Sequence, residues 1–220
     1  EAHSITIGAN AQLLANPPSG SSTKGGSISI RANNLHDRPD ISAFTQLSDL
    51  FRLVKGLQAS INVGSSTTIS GGDIDISAES GNSFAFSNIT SLAVAPFSKA
   101  IMEYRKYPDL FSLPVAIQYW KPSSSIILNG SIISSTEVSI NSTADANASG
   151  KAVWNRVLTT ESFNGGGSLG GAVGYFETDA SATIDMTGTA TIQSAGSVTL
   201  GSTVDNVIKL EVATIKNNGI

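Results

Sequence analysis

Gly25-Gly26-Ser27-Ile28-Ser29-Ile30-Arg31-Ala32 returns later in the chain as Gly71-Gly72-Asp73-Ile74-Asp75-Ile76-Ser77-Ala78. Shorter echoes follow at Thr136-Glu137-Val138-Ser139-Ile140 and Ala195-Gly196-Ser197-Val198-Thr199-Leu200. In every copy apolar side chains alternate with small or polar ones, which is the period of a strand with one buried face. Repetition over tens of residues marks an array whose units complete their core only against their neighbours.

The repeat extends beyond this strand. Ile5-Thr6-Ile7, Ile61-Asn62-Val63, Ile126-Ile127-Leu128 and Ile184-Asp185-Met186 each precede one copy. Between the two strands lies a further apolar position: Leu13, Ile69 and Ile192 at one common offset, and Ile132 two residues early. Each unit therefore reads strand, turn, short strand, turn, strand, with Gly, Asn and Ser at the corners, residues that reach turn conformations without a clash. Equivalent strands at equivalent corners predict an all-β chain coiled as a right-handed parallel β-helix, a solenoid with Ile, Val, Leu and Met inside and Ser, Thr, Asp and Asn outside. A β-sandwich of short strands is the other reading, but it gives no reason for inward size to recur at fixed offsets. Ile28, Ile30, Ile74, Ile76, Val138, Ile140, Val198 and Leu200 are the expected inward residues.

Alternation also runs through Ala144, Ala146 and Ala148, and from Ala172 to Met186, which reads as one long incoming strand. It resumes from Val207 to Lys216 and is expected to lead into a further coil, so residues 1–220 read as one segment of a longer repeat protein. Two insertions interrupt the pattern, at about 33–58 and 81–125, and a smaller excursion occupies about 149–171. In the first insertion Phe44, Leu47, Leu50, Phe51, Val54 and Leu57 recur at helical spacing, predicting an amphipathic helix over 42–56. A short helix over 96–107 is predicted in the second.

Composition narrows the function. Charged residues make up only 14% and the formal charge is −4, the opposite of the basic footprint that nucleic acid requires. No apolar run approaches the ~20 residues of a membrane-spanning helix. Cysteine is absent, which removes thiol nucleophiles and disulfides. His3 and His36 stand alone, no Gly-x-Ser-x-Gly elbow occurs, and no metal or cofactor site is expected. Asp73 and Asp75 flank Ile74 and share an outer face, roughly 7 Å apart. Such a pair suits calcium or glycoside hydrolysis. Ser27 and Ser29, Glu137 and Ser139, and Ser197 and Thr199 fill the equivalent places, so the pair reads as solvated surface; Glu177 and Asp179 read the same way. The sequons at Asn88, Asn129, Asn141 and Asn147 match chance in a chain so rich in Asn, Ser and Thr. Thr187, Thr189 and Thr191 form an array confined to one unit, too short for an ice-binding plane.

One stretch carries a family likeness. An Ala-rich alternating strand from Ala172 leads into Thr183-Ile184-Asp185-Met186-Thr187-Gly188-Thr189-Ala190-Thr191-Ile192, then Ser194-Ala195-Gly196-Ser197-Val198-Thr199-Leu200-Gly201-Ser202. This cadence resembles the filamentous-haemagglutinin-like large exoproteins of bacterial surfaces, among them giant adhesins and leukotoxin-like repeat proteins. The resemblance implies a right-handed β-helix, export across the outer membrane, and an extracellular, cell-surface role in adhesion or in building a filament or stalk. No Asn-Pro-Asn-Gly-type element of a secretion domain is present, so the chain would be an internal stalk piece. The expected function is non-enzymatic, with a polysaccharide-active lyase or glycoside hydrolase as the alternative. Expected partners are other coils or chains of the same surface protein, and host-cell or matrix glycans or proteins. Tyr, Trp and Arg are enriched at binding hot spots, which makes Tyr104, Arg105, Tyr107, Tyr119 and Trp120 the candidate partner-binding residues. The same rings also suit packing of the insertion onto the strands.

Overall fold

The computed structural model describes residues 2–15, 25–35, 57–81, 111–112, 115–157, 169–170 and 173–217. Among these residues the regular structure is all β-strand, with no helix. The predicted helices over 42–56 and 96–107 lie outside the described residues.

Three four-stranded parallel sheets dominate, and each takes one strand from each sequence unit. With strands numbered in chain order, the first sheet is β1 (Ala2–Ile7), β4 (Gln58–Val63), β9 (Ser123–Leu128) and β14 (Ser181–Met186). The second is β2 (Gln12–Leu14), β5 (Thr68–Gly71), β10 (Ser131–Ser134) and β15 (Thr191–Ser194). The third is β3 (Ile28–Leu35), β6 (Ile74–Gly81), β11 (Val138–Val157) and β16 (Val198–Asn217). Two smaller parallel ladders join β7 (Phe111–Ser112) to β12 (Leu169–Gly170) and β8 (Val115–Trp120) to β13 (Val173–Thr178). β7 and β8 thus fall within the expected insertion at 81–125, and the end of β11 within the excursion at 149–171. The alternating run from Ala172 is two strands, β13 and β14, separated by Asp179 and Ala180.

Like residues meet across the rungs. Ile5, Ile61, Ile126 and Ile184 form one column of the first sheet, and Leu13, Ile69, Ile132 and Ile192 one column of the second. In the third sheet Ile28, Ile74, Val138 and Val198 align, as do Ile30, Ile76, Ile140 and Leu200. These are the equivalences that the sequence repeat predicts. Ile132 keeps its column although it arrives early, because the corner before it is only Asn129-Gly130. The other three units use longer corners that contain Asn10 (φ 60°), Ser66 (φ 57°) and Gly188 (φ 60°). A left-handed residue folds the extra length outward, so the inward isoleucines stay in register.

The corners stack as well as the strands. Gly64 N donates to Ile7 O at 2.8 Å, Asn129 N to Val63 O at 3.0 Å and Thr187 N to Leu128 O at 2.8 Å. Where the second sheet turns into the third, backbones approach so closely that a Cβ on Gly72 would lie 2.1 Å from the carbonyl oxygen of Gly25. The core follows from these columns: Ile61, Ile69, Ile74, Ile76, Ile126, Leu128, Ile132 and Ile140 are fully buried in the two middle units. Burying each such side chain is worth about 1.5–3 kcal/mol. Ile5, Ile7, Leu13, Ile28, Ile184 and Ile192 of the outer units are partly buried against them. Where the third sheet meets the first, the interior turns polar and is tied across the gap. Asn34 Nδ2 donates to Gln58 O at 2.9 Å, Ser124 Oγ to Ala78 O at 2.9 Å and Ser202 Oγ to Ala182 O at 2.7 Å. The first two satisfy groups of the buried Asn34 and Ser124 that would otherwise be buried at a cost, whereas the Ser202 bond lies exposed in the outer unit.

Candidate functional site

The outer face of the third sheet carries the charged residues nearest to a site. Alternation on β3 and β6 turns Ser29, Arg31 and Asp75 away from the core, and Asp73 sits at the corner before β6. Arg31 Nη2 and Nε both donate to Asp75 Oδ2, at 2.6 and 3.1 Å, and Nε also reaches Ser29 Oγ at 3.1 Å. Asp73 Oδ1 accepts from the Thr136 hydroxyl of the next unit. Asp75 is thus held from the rung on one side and Asp73 from the rung on the other. The Arg31 side chain is 63% exposed and that of Asp75 33%, and ion pairs this wet contribute about 0–1 kcal/mol.

The second expected carboxylate pair is also tied to neighbours. Asp179 Oδ2 lies 2.9 Å from Lys121 Nζ, and Glu177 accepts from the Tyr175 hydroxyl. Among the described residues no three His, Asp or Glu side chains gather as a metal site would require. His3 Nδ1 is hydrogen-bonded to Asn33 O, and His36 lies outside the described residues.

Of the candidate partner-binding residues, Tyr104, Arg105 and Tyr107 lie outside the described residues. Tyr119 and Trp120 end β8, opposite Glu177 and Thr178 of β13. Trp120 is only 3% exposed, so the protein itself covers its ring. Among the sequon asparagines, Asn129 Oδ1 accepts from Thr189 N at 3.3 Å, and Asn141 Nδ2 donates to Ser139 Oγ at 2.8 Å. Asn88 lies outside the described residues.

Two further features emerge only from the stacking. Asp145 of β11 lies directly across from Asp205 of β16. Its carboxyl is pushed above its ordinary value, first by burial and second by the Asp205 charge. Both aspartates stand at the same offset from their column residues, Ile140 and Leu200, so aligning the repeats column by column would have found the pair. The other feature is apolar. Met186, Val198, Leu200, Val204, Ile208 and Val212, all on β14 and β16, are 42–51% exposed. One rung inward, Leu128, Val138, Ile140 and Ala144, their column partners up to Val204, are at most 1% exposed. Val198 and Leu200 were expected inside; they belong to the expected columns, but no described strand lies on their far side. No family model matches the chain, and no match is found among curated proteins or solved structures.

Proposed function

We propose that the three sheets are the walls of a right-handed parallel β-helix, and that this coil is a structural or adhesive segment of a large secreted bacterial surface protein of the filamentous-haemagglutinin-like kind. The right-handed reading is supported by the general rule that crossovers between parallel strands of one sheet are right-handed in about 98% of cases. The observation that carries the reading is the register: four units repeat the same three strands, with like residues stacked in every sheet. Such an array extends a chain stiffly and presents long polar faces, which suits a stalk or an attachment surface. The carboxylates favour the non-enzymatic side. Asp73, Asp75 and Asp179 are each engaged by a neighbouring hydroxyl or cation.

The test sets attachment against turnover. The purified chain is applied to immobilised host-cell and matrix glycans and proteins, and incubated with a panel of acidic and neutral polysaccharides. Retention on a surface with no cleavage of any polysaccharide is the expected result. Cleavage that Asp73→Asn abolishes would establish a polysaccharide-active enzyme instead.

A further inference from the structure

The polar seam where the third sheet meets the first strand of the next unit is not closed in the same way on every rung. In the first unit Asn34 spans it, donating from Nδ2 to Gln58 O at 2.9 Å. Stacking carries both ends of that bond to the second unit: Ser80 lies across from Asn34, and Ser123 across from Gln58. Rung equivalence therefore sets Ser80 opposite the Ser123 carbonyl, as Asn34 is set opposite that of Gln58. Ser80 is 0% exposed, and its hydroxyl has no hydrogen-bond partner among the described residues. The other hydroxyls of this seam are committed: Ser124 Oγ donates to Ala78 O at 2.9 Å and accepts from Ser142. Ser80 is enclosed by rungs on both sides, since β6 lies between β3 and β11.

We propose that a single buried water completes the second rung, accepting from the Ser80 hydroxyl and donating to the Ser123 carbonyl. Length decides it. A serine oxygen is bonded directly to Cβ, whereas an asparagine nitrogen stands one atom further out, a difference of roughly 1.3 Å. Added to the 2.9 Å of the Asn34 bond, this stops the Ser80 hydroxyl roughly 4.2 Å from the carbonyl oxygen. A direct O–H···O bond reaches only about 3.0 Å, while two such bonds meeting at a water span ~4.5 Å. Volume agrees. Exchanging a carboxamide for a hydroxyl makes room for about one water, ~30 Å³ of liquid volume, and the next residue of the column, Ala144, is smaller still.

The polarity of the site selects water over other occupants. A buried water needs polar partners on at least two sides, and this rung supplies a hydroxyl and a carbonyl. A hard cation would need carboxylates, and none of Asn34, Ser80, Ser124 and Ser142 is one. The first rung is thus closed by a side chain and the second by solvent. This site lies inside the coil and is independent of what the outer faces bind.

A crystal structure that shows ordered water, with thermal melts of two variants, tests it. The expected density is one peak within hydrogen-bond distance of both Ser80 Oγ and Ser123 O. Ser80→Asn should put its own amide in place of the water, as Asn34 does one rung away, and melt at or above the unmodified chain. Ser80→Ala deletes one of the water's partners and should lower the melting temperature by about 2–4 °C. A dry seam gives the opposite sign, because deleting an unpartnered hydroxyl relieves its burial cost. A higher melt for Ser80→Ala therefore overturns the proposal, with or without the crystal. Density that shows no peak there, or Ser80 Oγ bonded directly to a protein group, overturns it as well. A Ser80→Asn chain that melts lower or fails to fold refutes the equivalence of the two rungs on which the site rests.

Discussion

Ile140→Ala and Leu200→Ala remove the same amount of hydrocarbon from one column at two depths. Ile140 is 0% exposed and Leu200 is 50% exposed, and the two are direct partners across β11 and β16. Each substitution deletes three carbons, worth about 2.4 kcal/mol when fully buried at ~0.8 kcal/mol per methylene. At Ile140 the deletion also leaves a closed cavity between Ile76 and Leu200, which brings the expected loss to about 3–4 kcal/mol, within the range for such truncations. At Leu200 half the side chain is already wet and solvent enters the space, so the expected loss is about 1 kcal/mol. The assay is urea unfolding of the full chain, followed by circular dichroism. Thermal melts should separate the variants in the same order, by roughly 2–4 °C per kcal/mol in a chain of this size. Amide exchange should report the damage at Ile140 in the second and fourth units too, because each rung is held by its neighbours. Equal losses at the two positions, or a larger loss at Leu200, would refute the reasoning: Leu200 would then be covered in the isolated chain.

The corner glycines provide a sharper contrast. Gly72→Ala places a Cβ 2.1 Å from a backbone oxygen, and Gly26→Ala places one 3.5 Å from its nearest neighbour, the Ala15 Cβ. The first should therefore lower the melting temperature by several degrees while the second stays within about 0.5 kcal/mol of the unmodified chain; comparable melts would show that the corner backbones can separate freely. Asp145 makes stability depend on pH. Its folded carboxyl keeps a proton above the ordinary value of 3.8, so its contribution is complete below that value and is lost as pH rises through the raised folded value. Asp145→Asn should flatten this part of the stability curve, and Asp205→Asn should do so in part by removing the second cause. Urea midpoints across the acid range would contradict the assignment if the slope were unchanged in both variants.

The columns were legible because alternation and offset act together. Ile28, Ile74, Val138 and Val198 occupy the same phase of the same short phrase, and a slip of one residue would turn every isoleucine outward. The same parity hid a boundary. Asp179-Ala180 and Lys121-Pro122 are two-residue corners, paired by the bond from Ser181 N to Pro122 O at 3.0 Å. An even-length corner preserves alternation, so β13 and β14 read as one long strand although the chain turns between them. Depth of burial was illegible for a different reason. Val198 and Val138 have equivalent sequence contexts, and one is exposed because burial is conferred by the strand on the far side rather than by the residue itself.

Function is less legible than fold because periodicity reports the inside of a stack. Outward positions satisfy alternation with any polar side chain, so Asp75, Ser139 and Thr199 are interchangeable as pattern and distinct as chemistry. What each does is decided by residues a whole unit away. Arg31 reaches Asp75 from the rung on one side, Thr136 reaches Asp73 from the rung on the other, and Asp205 faces Asp145 across the last ladder. Pairs so distant in sequence lie beyond any local window, yet in a parallel stack they become nearest neighbours at fixed offsets. Chemistry on this surface therefore comes from combinations across rungs. A single substitution on the outer face changes only the pairs it joins, whereas a substitution in an inward column is felt through the stack.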